Sequence, residues 1–272
     1  MKKILLLLTL FIFSTNISAQ LDREHWFAPM VDRNTTDFSS EAIQRIYAST
    51  NELTPFDVEI YNNNKLIGTI RISKNNPAFY EIPSSRRDII ISKNQSDLFK
   101  PVSKGLYLKG DRPFFSILRF SVKQHAEILT SKGPAGQGTS FRVVTAPITS
   151  NNAALNFMTS VLATEDNTQV TISDFGTVVF SDNVPRTNIV FTLNKGQSYI
   201  IDGIGTATAN RTGAFIGAKI ESTRPVVITN GNFNGQYARN SMNSSDILMD
   251  QGVPIDKLGQ EFILMKGNGN PG

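Results

Sequence analysis

Few side chains in this sequence could do chemistry, and their spacing limits what that chemistry could be. The chain has no cysteine and two histidines, His25 and His125. That is too few soft ligands for an ordinary structural zinc site. Gly196-Gln197-Ser198-Tyr199-Ile200 matches a nucleophile elbow for three positions, then lacks the closing glycine that lets the strained turn form. Asn194-Lys195-Gly196-Gln197 reads instead as a hairpin turn. A serine hydrolase also needs a histidine base, and His125 beside Gln124 reads as a packed or surface imidazole with no identifiable partner. Gly203-Ile204-Gly205-Thr206 lacks the third glycine and the helix of a phosphate-binding loop. Glu127, Glu165, Asp166, Asp246, Asp250 and Glu261 could converge as a glycosidase pair, but that mechanism is decided by a separation the sequence does not give. Glu165-Asp166-Asn167 and Asp246 to Asp250 offer oxygen ligands for calcium, yet no stretch has the spaced acids of a calcium loop. The reading is solvated turn acids, no cofactor and no catalytic residue.

The elements that would position these groups follow a leader. Lys2 and Lys3 precede an apolar run from Ile4 to Phe13, and small and polar residues end at Ile17-Ser18-Ala19-Gln20. That is the layout of a secretory signal peptide over residues 1–19, with cleavage expected after Ala19. The run is about half of what a membrane-spanning helix needs, and no second long apolar run follows. The expected product is secreted or on the cell surface, with no transmembrane segment after cleavage. Removing Lys2 and Lys3 leaves a formal charge of +2 from +4, with cations scattered among acids. So small and dispersed a charge excludes nucleic acid as the expected partner. An exported chain without disulfides must be held together by its core.

Past the leader, apolar residues recur at period two in short runs bounded by Gly, Pro, Asn, Asp and Ser. Phe56 to Ile60, the Asn62-Asn63-Asn64 turn and Leu66 to Ile72 read as a hairpin. Further strands are expected at 79–82, 89–91, 106–108, 114–120, 141–144, 170–172, 177–180, 189–193, 199–201, 215–220, 226–228 and 262–265. One helix is expected at Ser39 to Tyr47. The fold class is all-β, in tandem antiparallel sandwich-like units, with a propeller-like repeat as the alternative.

Those units are related by internal duplication. Val58 and Ile60 match Val170 and Ile172, and Leu108-Lys109-Gly110-Asp111-Arg112-Pro113-Phe114-Phe115 matches Ile220-Glu221-Ser222-Thr223-Arg224-Pro225-Val226-Val227 at the same offset. Thr69 to Lys74 pairs with Val190 to Lys195, and Gly138 to Phe141 with Gly259 to Phe262, at a second offset. The units are placed at 20–145 and 146–272, the second incomplete, which suggests a fragment of a longer surface protein. Each Arg-Pro step is read as the restart of a strand, since proline is tolerated at a strand's first residue. Trp26 and Phe27 are read as a staple holding the first strand to the core, the alternative for Trp26 being a sugar-stacking platform.

Several stretches together resemble the N-terminal domain of IgGFc-binding proteins. They are Arg23-Glu24-His25-Trp26-Phe27-Ala28-Pro29, the span Val161 to Ile172 with Thr164-Glu165-Asp166-Asn167, the turn Leu193 to Tyr199 with Gly196, the steps at Arg112-Pro113 and Arg224-Pro225, and Asp250 to Pro254 leading to Gly259 and Phe262. Arg112 and Arg224 stand where the family usually has Lys, and Asp22 replaces a frequent glycine. The resemblance implies structural roles for these motif residues and no catalytic ones. It also implies, through the bacterial members, the front part of a large exported protein of the Bacteroidetes that ends in a gliding-motility-associated or type IX secretion sorting domain. The expected function is an adhesion or recognition module for an extracellular protein or glycan, not an enzyme, with loops Gly133 to Gly138 and Ala207 to Gly213 as contact candidates. Two alternatives stand beside it, a secreted carbohydrate-active hydrolase and a spacer for a missing C-terminal domain.

Overall fold

The computed structural model describes residues 21–32, 43–122, 125–149, 151–236 and 245–261. Its strands in the first half are β1 (Asp22–Phe27), β2 (Met30–Val31), β3 (Gln44–Ser49), β4 (Phe56–Asn62), β5 (Lys65–Ile72), β6 (Ala78–Glu81), β7 (Ile91–Ser92), β8 (Pro101–Val102), β9 (Leu106–Val122) and β10 (His125–Thr130). The second half supplies β11 (Gly138–Arg142), β12 (Asn156–Ala163), β13 (Thr168–Ser173), β14 (Ile189–Leu193), β15 (Ser198–Ile204), β16 (Lys219–Gly235) and β17 (Asp246–Gln251). Among the described residues the helical elements are short 3-10 turns, and no helix is long and apolar enough to cross a membrane. The fold is all-β and antiparallel, apart from the short parallel pair β2–β7.

Each half is organised by one strand of 17 residues, β9 in the first and β16 in the second. The N-terminal part of β9 pairs with β4 and β1, and its C-terminal part pairs with β3 and β10. β5 extends one side of the pattern and β6 the other. Alternate residues of β9, from Leu106 and Leu108 to Phe114, Leu118, Phe120 and Val122, are buried in one core with Val58, Ile60, Ile72, Ile46 and Leu129. The seven strands form one sheet. A long strand whose two parts pair with different neighbours while keeping one face inward folds that sheet over a common core, the corner being made at a break in the ladder. Arg112-Pro113 is that break, since the pairing with β4 stops at Gly110 and that with β3 starts at Phe115. The Arg-Pro step therefore lies inside a strand and does not start one. The physical reason is the expected one: proline has no N–H, and here no partner strand asks for it.

The second half repeats this plan in the same register. Val58 faces Gly110 and Val170 faces Ser222; Asp22 faces Phe114 and Gly138 faces Val226, with a bulge in β1 and in β11 at the matching place. Ile117 pairs with Tyr47 and Thr130, and Thr229 pairs with Ser160 and Gln251. The surroundings of the two arginines match as well. Thr50 Oγ1 donates to the Pro113 carbonyl and Thr164 Oγ1 to the Pro225 carbonyl, both at 2.7 Å, while Arg112 pairs with Glu52 at 3.2 Å and Arg224 with Glu165 at 2.9 Å.

The halves share material. Met158, Ile200, Phe233, Ile247 and Met249 of the second half belong to the core of the first, while Phe141, Phe157, Val161, Ile172, Phe180, Phe191 and Phe215 build a separate core in the second. The linking element is the segment after β1. Thr229 Oγ1 donates to the Ala28 carbonyl, Ser160 Oγ to the Pro29 carbonyl, and Gln251 Nε2 to the Trp26 carbonyl. Gly138 to Arg142, assigned from sequence to the first unit, hydrogen-bonds into the second sheet through β16.

The helix expected at 39–47 is overturned where it is described: Gln44 to Tyr47 lie in β3, drawn into the sheet by pairing on both sides with β6 and β9. Thr177 to Phe180 forms a single bridge, Phe180 to Gly203, and Phe215 to Gly217 is a turn before β16. The leader at 1–19 and the strand expected at 262–265 lie outside the described residues.

The duplication also isolates one titratable group. His25 and Phe141 occupy the same register position, opposite Leu108 and Ile220. His25 is fully buried, its Nε2 2.7 Å from the Phe114 carbonyl. Burial holds its pKa below the ordinary histidine value, against the pull of that carbonyl. The folded state therefore keeps the ring neutral while the unfolded chain protonates, so stability is full above about pH 6.5 and falls as pH drops below it toward the folded pKa. Thermal melts from pH 7.5 to pH 5 are expected to show this loss in the wild type and a shallower loss in His25→Phe, which copies Phe141. Equal slopes would reject the assignment.

Candidate functional site

Of the motif residues, Thr164 to Asn167, Gly196 and Arg224-Pro225 come together, in a joint and not in a pocket. The turn Thr164 to Asn167 after β12 meets the turn Asn194 to Gln197 before β15. The Lys195 amide donates to Asp166 Oδ1 at 3.0 Å, the Asn167 amide to Asn194 Oδ1 at 3.1 Å, and the Gly196 amide to the Ala163 carbonyl at 3.0 Å. Asn167 has φ 54°, a left-handed backbone that asparagine tolerates. Thr168 Oγ1 donates back to the Glu165 carbonyl at 2.8 Å, closing the turn. Arg224-Pro225 completes the joint through the contacts with Glu165 and Thr164 given above. Gly196 sits at φ 79°, and a Cβ there would lie 3.0 Å from Asn63 Cα of the β4–β5 hairpin. Asn64 Nδ2 donates to the Lys195 carbonyl at 3.0 Å, so this turn also ties the two halves.

Trp26 lies beside that joint and is 5% exposed. It stacks on Tyr107 at 5.1 Å and packs against Ala28, Leu162 and Val227, fastening one half to the other. So enclosed an indole is no platform for a sugar ring, and it staples more than the first strand. Tyr107 donates its hydroxyl to Glu24 at 2.7 Å, and burial, helped by that carboxylate, lifts its pKa well above the ordinary tyrosine value. The cleft between Trp26, Tyr107, Asn63, Lys195 and Gly196 has about 10 Å³ of free space, room for a single water.

Three of the acids have basic partners. Glu165 is bonded to Arg224, Asp246 to His125 at 3.0 Å and Asp250 to Lys132 at 2.9 Å. Burial, and then nearby Asp246 and Asp250, raises the pKa of the Glu127 carboxyl. Among the described residues no three His, Asp or Glu side chains form a group able to hold a metal ion. The loop at Gly133 to Gly138 is packed: Lys257 Nζ donates to the Pro134 and Gln137 carbonyls at 2.7 and 2.8 Å. The loop at 207–213 is pinned by buried Asn210, whose side chain bonds Val179 and Ile204. Gly259 is exposed in the turn after Lys257, and Phe262 lies outside the described residues.

Open surface suited to binding lies elsewhere, at two places that sequence reading missed. On the outer face of β6, β3 and β9, Phe79, Tyr47, Phe115 and Ile117 line an apolar hollow of about 340 Å³. Phe79 is 47% exposed, with Arg45 over its ring at 4.7 Å. In the second half, Arg142, Val144, Ala146, Asn230, Gln251 and Leu258 line a groove of about 470 Å³, with Val144 67% exposed. Both volumes fall in the range of ligand sites. The outward alternation Arg45-Tyr47-Ser49 on β3 could have shown the first face; the groove is made by elements distant in sequence.

The described residues form a disulfide-free β scaffold with two apolar recesses. The description "IgGFc binding protein" matches residues 127–271, more than half of the chain, and the chain belongs to that family. It is a family of binding modules, not of enzymes. Neither curated proteins nor solved structures gave a match.

The joint makes two expectations measurable by denaturant unfolding. Gly196→Ala forces a side chain into a left-handed conformation against backbone, and should cost about 1–3 kcal/mol. Arg224→Ala breaks only a half-exposed ion pair, and should cost less than about 1 kcal/mol after solvent screening. Reversal of that order would contradict a joint built on turn geometry.

Proposed function

We propose that this protein is an exported recognition module that binds an extracellular macromolecule through its open apolar faces. The observation that carries this reading is the solvent-facing cluster of Tyr47, Phe79, Phe115 and Ile117, on a rigid sheet rather than a mobile loop. Large apolar side chains left open together on one face mark interaction sites, and aromatics with a neighbouring arginine are typical of binding hot spots. Membership of the IgGFc-binding family supports a protein ligand, and the leader at 1–19 supports secretion or display at the cell surface. Display as the front part of a larger bacterial surface protein, through a sorting domain, belongs to the same proposal.

The test is to immobilise the mature protein and probe it with arrays of extracellular proteins, antibody Fc, mucins and glycans. Binding to a protein or glycoprotein ligand is expected, weakened at least tenfold by Tyr47→Ala with Phe79→Ala, since anchor residues of this kind carry most of an interface. A ligand whose binding is untouched by that pair would overturn the assignment of the face.

A further inference from the structure

The two open faces are the unmatched halves of an interface the molecule already uses once. In the intact interface, the second half presents the outer side of β12, β15 and β16 to the first. Ser160, Leu162, Val227, Thr229 and Ile200 face that way, and they meet Trp26, Ala28 and Pro29 through the contacts described above. Gln251 completes it, donating to the Trp26 carbonyl at 3.0 Å while its Oε1 accepts the Lys132 amide.

Strand register identifies the counterpart of every one of these groups. The outer-face row Ile200-Ser160-Thr229-Gln251 of the second half is the row Phe79-Tyr47-Ile117-Thr130 of the first. That row is the open apolar face. The receiving segment of the first half, Trp26, Ala28 and Met30, corresponds to Arg142, Val144 and Ala146 of the second, because β1 and β11 pair with β9 and β16 in the same register. That segment is one wall of the open groove. Among the described residues, one chain therefore satisfies this interface once and leaves one donor face and one receiving groove open.

In the buried interface Ser160 and Thr229 donate to the Pro29 and Ala28 carbonyls, and Trp26 packs on Leu162 and Val227. The open face offers larger Tyr47 and Ile117, and the open groove is lined by Val144 and Ala146 where the first half has Ala28 and Met30. Arg142, in the place of Trp26, is held at the groove by Asp174 at 3.1 Å and the Gly217 carbonyl at 2.9 Å, and the face of a guanidinium so held can still stack on an aromatic ring.

We propose that a second copy of this chain is the occupant: the face of β3, β6 and β9 in one molecule docks into the groove beside β11 and β17 of the next. This rests on reading the two faces as binding surfaces and names their partner. The contact is head-to-tail, so each added copy leaves one face and one groove free, and assembly proceeds to rings or open chains and does not stop at a symmetric dimer.

Sedimentation velocity on the mature chain, from about 1 to 200 µM, should show weight-average mass rising past that of a dimer. Phe79→Arg removes the face and keeps the groove; Val144→Arg removes the groove and keeps the face. Both positions are exposed, and circular dichroism and melting confirm that each variant folds. Each alone should remain monomeric, and their equimolar mixture should give a heterodimer that grows no further. A monomeric wild type over the whole range, or a folded mixture that forms no heterodimer, overturns the proposal. Ligand capture on the arrays by a monomeric wild type would leave the recognition reading standing while this one fails.

Discussion

Everything in this fold hangs on how a long strand turns a corner. β9 and β16 each pair chiefly with one set of strands before the Arg-Pro step and another after it, and a strand cannot turn such a corner while every amide is committed to a ladder. Proline at the turning point removes one amide, and the carbonyl it leaves is taken by a threonine hydroxyl from the neighbouring strand end, Thr50 in one half and Thr164 in the other. A hydrogen bond of that kind contributes about 1 kcal/mol net, but leaving the carbonyl unmatched in a part-buried corner would cost more. The inward alternation of β9, from Leu106 through Val122, is possible because this corner keeps the pleat in phase. The arginines beside the prolines are lesser partners, half in solvent and worth little by themselves.

Sequence showed the class and the duplication because both are written in local pattern. Phe56 to Ile60 alternates cleanly and is a strand with one buried face, and Asn63-Asn64, both with positive φ, form its hairpin turn. Strands buried on both faces were illegible for the opposite reason. β12, Asn156 to Ala163, is buried at every residue and mixes Asn, Thr and Ser with Phe and Met, so it shows neither alternation nor a plain apolar run. β3 was mistaken for a helix start because Ser39-Ser40-Glu41 looks like a cap, and only the pairing with β6 and β9 decides otherwise. The Arg-Pro step was recognised as an interruption, yet its place inside a strand depends on which partners flank it, a long-range fact.

The motif residues show the same division. Thr164, Glu165, Asp166, Asn167, Gly196, Arg224 and Pro225 could be picked out as a set, and they do meet, but in a knot of turns with room for one water. Open apolar recesses lie elsewhere. Tyr47 and Ser160 hold one position in the plan, one a half-exposed aromatic and the other a buried hydroxyl against the first half. The alternation of β3 shows the first face, but which face is covered depends on contacts distant in sequence.

The shared core has a consequence for the independence of the two copies. Met158, Ile200, Phe233, Ile247 and Met249 complete a core whose other buried members lie in the first half, from Phe27 to Leu129. With no disulfide available, that borrowing is what joins the halves, and removing the later half would strip the earlier one of five apolar side chains and expose their seat to water. Deletion or swapping of one repeat is therefore not a modular edit but damage to its neighbour's core.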